Sequence, residues 1–319
     1  MYDEIRLNVG GIVIQIRWEN SQIVDWPDPR YEEFISAEQP DVSLKVHCGR
    51  LPECKGANLI FDGEKNWGLY QNEEGYIVKC YDPQSHRLDN VAIMSEDFRV
   101  GDYYILPKRG RLRKRDIKKG PGCYKRGLAR WSLFDLMNPF FKLLLVNLLT
   151  SGKGVLVHGC GVIDCNSGMA FVGPTEAGKS TIGILWREGK GATVLSDEYI
   201  IITKNEGKFY LTGTPWHSDA LRVSSKAAEL RKVYFIYHAK ENIVTSEHQV
   251  ESFNQLFPQL FLPFWDDKRL KFAVEFCNSL IQLVDCQRLG FVNDEGIVDF
   301  LRGEVRGYGK KEIFQTHSV

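Results

Sequence analysis

The sequence predicts an α/β protein in two parts, a smaller mainly β region followed by an α/β domain organised around a glycine-rich loop. Three observations carry that prediction. Residues 1–107 alternate apolar and polar residues with period two and are punctuated by turn pairs. A run of basic residues interrupts the chain at 108–130. From 131 onward, short apolar strands alternate with helical periodicity around a strand–loop–helix unit at 169–186.

In the first region, Val42-Ser-Leu-Lys-Val46 alternates as a half-buried strand does. Asp62-Gly63 and Glu74-Gly75 separate the strand-like runs Asn58–Phe61, Trp67–Tyr70 and Tyr76–Tyr81, a spacing that predicts a meander of short antiparallel strands. His47 beside Cys48 resembles half of a metal site. With no further ligand nearby it reads as a strand position.

Between Lys108 and Arg130 stand eleven basic residues and one acid, with Pro121-Gly122 in the middle. Such a run is either a solvated linker between domains or an arm for an acidic or phosphate-bearing partner. Aromatic residues for base stacking are nearly absent, which argues against nucleic acid.

The domain boundaries expected are therefore 1–107, a basic linker over 108–130, and 131–319. In the last part, Trp131–Leu149 has helical periodicity interrupted at Asn138-Pro139. Gly154–His158, Gly161–Asp164 and Met169–Val172 read as three short strands, the last two joined at Asn166-Ser167-Gly168. A helix is expected over Gly178–Trp186, then strands at Ala192–Leu195, Tyr199–Thr203, Phe209–Thr212 and Val233–Tyr237. Asp266–Val284 is a long helix, with Leu270, Ala273, Val274, Cys277, Leu280, Ile281 and Val284 at three- and four-residue spacing.

Composition bounds the function. A chain of 319 residues with 43% hydrophobic and 26% charged residues has the make-up of a protein that buries a core. Its 41 basic residues balance 41 acidic ones, so the net charge offers no argument for nucleic acid or an anionic membrane as partner. The opening residues lack the basic region and apolar run of a secretory leader. Leu143–Leu149 falls well short of the roughly 18 residues needed to span a bilayer. The eight cysteines include no CxxC pair and fit reduced thiols, so a cytoplasmic location is expected.

The chemistry concentrates at Gly173-Pro-Thr-Glu-Ala-Gly178-Lys179-Ser180, which fits GxxxxGK[ST] and is followed by Thr181. Gly173 and Gly178 let the loop through Pro174, Thr175, Glu176 and Ala177 curl its N–H groups towards phosphate oxygens, and the following helix adds its positive end. Lys179 is expected to reach the β- and γ-phosphates, and the Ser180 hydroxyl to hold Mg²⁺. An apolar strand runs into the loop and a helix-compatible segment follows it, which is the context the motif needs.

Val194-Leu-Ser-Asp197-Glu198 then places two carboxylates at a strand end, where a phosphoryl-transfer enzyme needs an acid to hold the metal or to take a proton. Asp197 is the expected metal ligand or base, with Glu198 sharing either role. His158 ends the strand Gly154–His158 and matters if that strand lies beside the loop strand.

Together, Val157-His158-Gly159, the hairpin into Phe171-Val-Gly-Pro-Thr-Glu-Ala-Gly-Lys-Ser-Thr181 and Val194–Glu198 resemble the catalytic domain of the HPr kinase/phosphorylase family in order and spacing. The resemblance covers about residues 150–220. It implies a P-loop kinase fold similar to phosphoenolpyruvate carboxykinase and an ATP- and Mg²⁺-dependent transfer to a serine hydroxyl of a protein or peptide. It places His158, Asp197, Glu198 and Lys179 at the active centre. The chain departs from the family in having Asp-Glu where two aspartates are usual, in lacking the glycine-arginine-asparagine segment, and in its first 107 residues. In these respects it looks more like diverged relatives, some of which phosphorylate peptides in natural-product tailoring.

Other features are secondary. Thr212-Gly-Thr-Pro-Trp216-His217 is either an acceptor-side wall or a tryptophan closing a core. Arg222, Arg269 and Arg288 are candidates to neutralise transferred charge or partners in surface ion pairs, and Asp266-Asp267 reads as a helix cap. Two further functions compete: a regulatory nucleotide-binding module or slow ATPase, and a small-metabolite kinase. The absence of NKxD after the loop, and of an LSGGQ-like signature, argues against a G-protein and an ABC ATPase. A homo-oligomer is left open.

Overall fold

The architecture comes from a computed structural model that describes residues 3–18, 24–25, 29–64, 66–82, 84–106, 131–133, 138–188, 191–218 and 223–304. It is mixed α/β, with two large sheets and few helices. The chain divides into two compact units, Met1–Leu148 and Leu149–Val319. The basic run lies outside the described residues.

The first unit is built on an eight-stranded sheet. Its strands are β1 (Asp3–Val9), β2 (Ile12–Trp18), β4 (Val42–Cys48), β5 (Asn58–Asp62), β6 (Trp67–Asn72), β7 (Gly75–Tyr81), β8 (Leu88–Met94) and β9 (Val100–Ile105), in the order β1-β2-β4-β9-β8-β7-β6-β5. The segment β5 to β7 is the expected antiparallel meander, and β8 and β9, which were not expected, extend it. The sheet is not a meander throughout, because β4 lies between β2 and β9 and runs parallel to both. Alternation explains β4: Val42, Leu44 and Val46 are buried, while the residues between them are half-exposed. His47 Nε2 lies 2.6 Å from Asp102 Oδ1, and its ring stacks on Tyr104.

Two corrections concern 131–149. Trp131–Ser132 (β10) pairs in parallel with Val24–Asp25 (β3) where helical periodicity was expected to begin, and beyond the Asn138-Pro139 interruption the helix α1 starts at Phe140 and ends at Leu149, residues 134–137 lying outside the described residues. The Asn138-Pro139 bond just before it is cis.

The second unit carries the other sheet: β11 (Gly154–Asp164), β12 (Ser167–Val172), β13 (Thr193–Ser196), β14 (Tyr199–Asn205), β15 (Lys208–Gly213), β16 (Ala227–His238), β17 (Ile243–Ser246) and β18 (Asp285–Phe291). The expected breaks at Gly159 and Gly161 do not exist; β11 is one strand of eleven residues. Its hairpin to β12 turns at Cys165 and Asn166, both at positive φ, one residue earlier than expected. Strands β12, β11, β14, β15 and β16 pair successively, and β12 also pairs in parallel with β16, so these five close into a ring. On the other edge β16 first pairs β15 and then continues beside β18.

Both faces of this sheet are covered. Helix α2 (Lys179–Glu188) and the helical stretch 296–304 share a core with Cys160, Val162, Phe171, Tyr234, Ile236 and Phe291. Helices α3 (Gln249–Leu256) and α4 (Asp267–Leu283) bury their apolar stripes against Val155, Val157, Val172, Ile200 and Phe235 on the opposite face. Asp266 caps α4 as expected, its side chain accepting from the Lys268 and Arg269 N–H groups. Strands buried on both faces read as continuous apolar runs, which is why β12 (Met169-Ala-Phe-Val172) shows no alternation. Among the described residues, no helix is long and apolar enough to cross a membrane.

One ion pair ties the last helical stretch to the sheet. Arg302 Nε and Nη2 donate to the two Asp164 carboxylate oxygens at 2.9 and 2.8 Å, and the guanidinium lies over the Trp186 ring. The Asp164 side chain is only 9% exposed, so it depends on this partner for both oxygens. Arg302→Ala is expected to cost about 3 kcal/mol in urea unfolding, and Arg302→Lys less, because the lysine keeps the charge but not the two-pronged geometry.

Candidate active site

Strand β12 delivers the chain to Gly173, and α2 begins at Lys179. The residues between turn back over the carboxyl end of β12, with Glu176 at φ 68° and Gly178 at φ 100°. Left-handed residues in such a loop turn successive N–H groups to its concave side. Gly178 tolerates no side chain: a Cβ there would lie 2.6 Å from Phe291 Cζ and 3.1 Å from His238 Cε1. The Ile182 N–H donates to Gly178 O at 2.9 Å, so the first helical turn opens at the motif's second glycine.

Lys179 is only 7% exposed. Its Nζ donates to the Gly173 and Pro174 carbonyls, both at 2.8 Å, which holds the ammonium across the loop. Burial lowers its pKa from the ordinary lysine value, and nearby Cys160 opposes that shift. The Cys160 thiol is itself pushed well up, by burial first and then by the charge of Asp197, so it is an inert core group.

The carboxylates occupy a break between two strands. Both β13 and β14 pair with the same edge of β11, Ser196 opposite Gly161 and Tyr199 opposite His158. Asp197 and Glu198 fill the gap between them. The gap closes tightly because Gly161 has no side chain; a Cβ there would meet Ile200 Cγ2 at 2.9 Å. The buried Ser196 hydroxyl fixes the turn, accepting from the Glu198 and Tyr199 N–H groups at 3.1 and 3.2 Å and donating to Trp216 O at 2.6 Å. The Ser218 N–H in turn donates to Asp197 Oδ1 at 2.8 Å. Burial, with the neighbouring charge of Glu198, pushes the Tyr199 phenol up to about 12.

Two strand rows end in histidines. On β11 the side chains facing α2 are Val162, Cys160 and then His158; on β16 they are Tyr234, Ile236 and then His238. Each row leaves the core shared with α2 and reaches the loop. The His238 Nε2–H donates to Glu176 O at 3.1 Å, and its ring tilts against Phe291.

These parts surround a single cavity of about 400 Å³. Thr175, Glu176, Gly178, Lys179, Ser180 and Thr181 line it from the loop and helix, and His158, Asp197 and Glu198 from the strands. Gly173, Pro174 and Ala177 stand behind this lining: the first two supply the carbonyls that hold Lys179, and the Ala177 N–H donates to Pro174 O at 3.2 Å. Sequence reasoning missed His238 and Ser218, which also line the cavity. His238 had a signal, since extending the Val233–Tyr237 strand by one residue reaches it. Ser218 had none, because its place depends on how the 214–218 segment folds over Ser196.

The helix α2 leads the chain to β13, which lies across β11 from the loop strand. The secondary candidates also resolve. Trp216 is fully buried and closes a core, Arg269 pairs with Asp266 at 3.0 Å, and Arg288 stacks over Tyr237. Arg222 lies outside the described residues. Among the described residues, no group of three or more His, Cys, Asp or Glu converges into a ready metal cage.

No family model matches the chain, and no curated protein matches it in sequence. Among solved structures, an Hpr(Ser) kinase/phosphatase from Coxiella burnetii matches at 11% identity with a TM-score of 0.31, over 51% of this chain and 99% of that one. A likeness of that size bears on neither family nor activity.

The Ser196 contacts give a direct test of how the acidic turn is held. Ser196→Ala leaves two N–H groups without their acceptor and is expected to cost about 2 to 3 kcal/mol in urea unfolding, with Ser196→Thr recovering part of the loss.

Proposed function

We propose that this chain is an ATP- and Mg²⁺-dependent kinase that transfers the γ-phosphoryl group to a hydroxyl of a protein or peptide, serine being the expected acceptor. The observation that carries the reading is the meeting of the Gly173–Ser180 loop and the Asp197–Glu198 turn at one cavity, with His158 on the strand between them. A phosphate loop alone fits many nucleotide-binding proteins. An acidic turn facing it across a polar cavity is what phosphoryl transfer to a hydroxyl requires. In the same reading the catalytic part is residues 131–319, with 1–107 a separate mainly β domain and 108–130 the link.

The donor set suits a magnesium nucleotide. The Ser180 hydroxyl and an acid of the 197–198 turn are hard oxygen ligands, few enough to leave places for phosphate oxygens and water. When bound, the metal would offset the negative charge of the phosphates. The chain's own residues then do the following. The loop amides and the Lys179 ammonium hold the phosphates and stabilise the charge that spreads over the γ-phosphoryl oxygens. A carboxylate oxygen of Asp197 takes the acceptor hydroxyl's proton as the new O–P bond forms and the bond to the β-phosphate oxygen breaks, leaving ADP. Its other oxygen is oriented by the Ser218 N–H. Glu198 shares the acid's work, and His158 orients a carboxylate or contacts phosphate.

Lys179→Ala and Asp197→Ala are each expected to lower phosphoryl transfer about 100-fold or more while leaving the fold intact by circular dichroism. The assay is transfer of label from γ-labelled ATP to serine-, threonine- and tyrosine-containing peptides, alongside ATP consumption. Full transfer in either variant overturns the assignment. ATP loss with no labelled product favours the slow-ATPase reading instead.

A further inference from the structure

Within the proposed nucleotide site, we infer that Glu176 makes the cavity select metal-complexed polyphosphate over the metal-free form, by holding a carboxylate on the phosphate side of the site. The inference rests on the nucleotide reading above, and nothing in the proposed transfer step uses this residue.

The first observation is conformational. Glu176 stands at φ 68°, in the left-handed region where glycine sits without strain and a glutamate does not. The loop is fixed there from two sides, since His238 Nε2–H donates to the Glu176 carbonyl and the next N–H, of Ala177, donates to Pro174 O. A side chain kept at a strained position in a loop that holds ligand points to a role for that side chain.

The second observation is charge. Among the described residues lining the cavity stand one lysine, Lys179, and three acids, the exposed Glu176 together with Asp197 and Glu198. Asp197 and Glu198 belong to the turn across β11 and have a role there. Glu176 is carried by the phosphate loop itself, where an acid repels the ligand that the loop amides and Lys179 attract. A divalent ion on the phosphates removes two negative charges and most of that repulsion. Free triphosphate meets it in full. One unit charge placed about 6 Å from another in partly hydrated surroundings changes affinity on the order of tenfold.

The test is equilibrium binding of ATP to the full chain by calorimetry, at low ionic strength, once with excess Mg²⁺ and once with excess EDTA. Wild type is expected to prefer the magnesium form. Glu176→Gln should tighten metal-free binding about tenfold and change magnesium-form binding by less than about twofold, and high salt should erase the difference. If both forms shift together in Glu176→Gln, or neither shifts, the inference is overturned while nucleotide binding stands. If wild type binds ATP in neither condition, the nucleotide reading itself is overturned, and this inference with it.

Discussion

The buried hydroxyl of Ser196 is the contact on which the candidate site depends most. It ends β13, accepts from two successive N–H groups of the turn that carries Asp197 and Glu198, and donates to the carbonyl of Trp216. One oxygen therefore joins three pieces of chain: the strand that returns from α2, the acidic turn, and the segment that follows β15. Without it, two strands pairing with one edge of β11 would have no reason to stay interrupted, since continued pairing would satisfy the same backbone groups. The interruption turns Asp197 out of the ladder while Glu198 O still accepts from the Gly159 N–H at 3.2 Å, and both residues line the cavity. Trp216, fully buried, gives the third piece a fixed anchor, and two residues later the Ser218 N–H orients Asp197. The acid's position is thus set by the core rather than by a loose loop.

Much of this was legible from residue pattern, and the failures share a cause. The loop, the helix after it and the strands around Asn205–Gly207 follow from local signals: spacing of apolar residues, a phosphate-loop motif, and Glu206 and Gly207 at positive φ in a tight hairpin. Gly159 and Gly161 misled, because glycine in a strand reads as a break. Here they are internal to β11, and Gly161 serves close packing against Ile200. The parallel pairing of β4 with β2 and β9, and the jump of the chain from β12 over β11 to β13, are long-range choices that alternation cannot encode. Trp131–Ser132 shows the limit of periodicity from the other side, since helical spacing there lost to a strand partner more than a hundred residues earlier.

The candidate site was legible where it rests on motif and opaque where it rests on topology. Nine loop residues and the acidic pair could be named from spacing alone. His238 lies sixty residues beyond the loop and reaches it only because β16 runs parallel to β12, a pairing no local pattern specifies. The two histidines then obey one rule. Each continues a side-chain row that packs beneath α2, and each stands where the row runs out from under the helix.

That rule explains why a cavity exists at all. In open α/β sheets, ligands bind outside the carboxyl ends of parallel strands, where helix amino ends and loops gather. Here β12 and β16 run parallel, and β13 runs the same way as β12 because both are antiparallel to β11. All three end on one side, delivering the loop, His238 and the acidic turn. Strand β11 stands between the first and the third and would fill the space if it ended level with them. It runs the other way, β12 stops with Val172 opposite Gly159, and Gly154–His158 continue past that point beside β14. His158 is therefore the first residue of β11 left uncovered on that edge. The loop and the acidic turn are held about two strand spacings apart, roughly 10 Å, with the imidazole at the floor between them. That separation is fixed by the pairing of β12 and β13 on opposite edges of β11 rather than by side-chain choice.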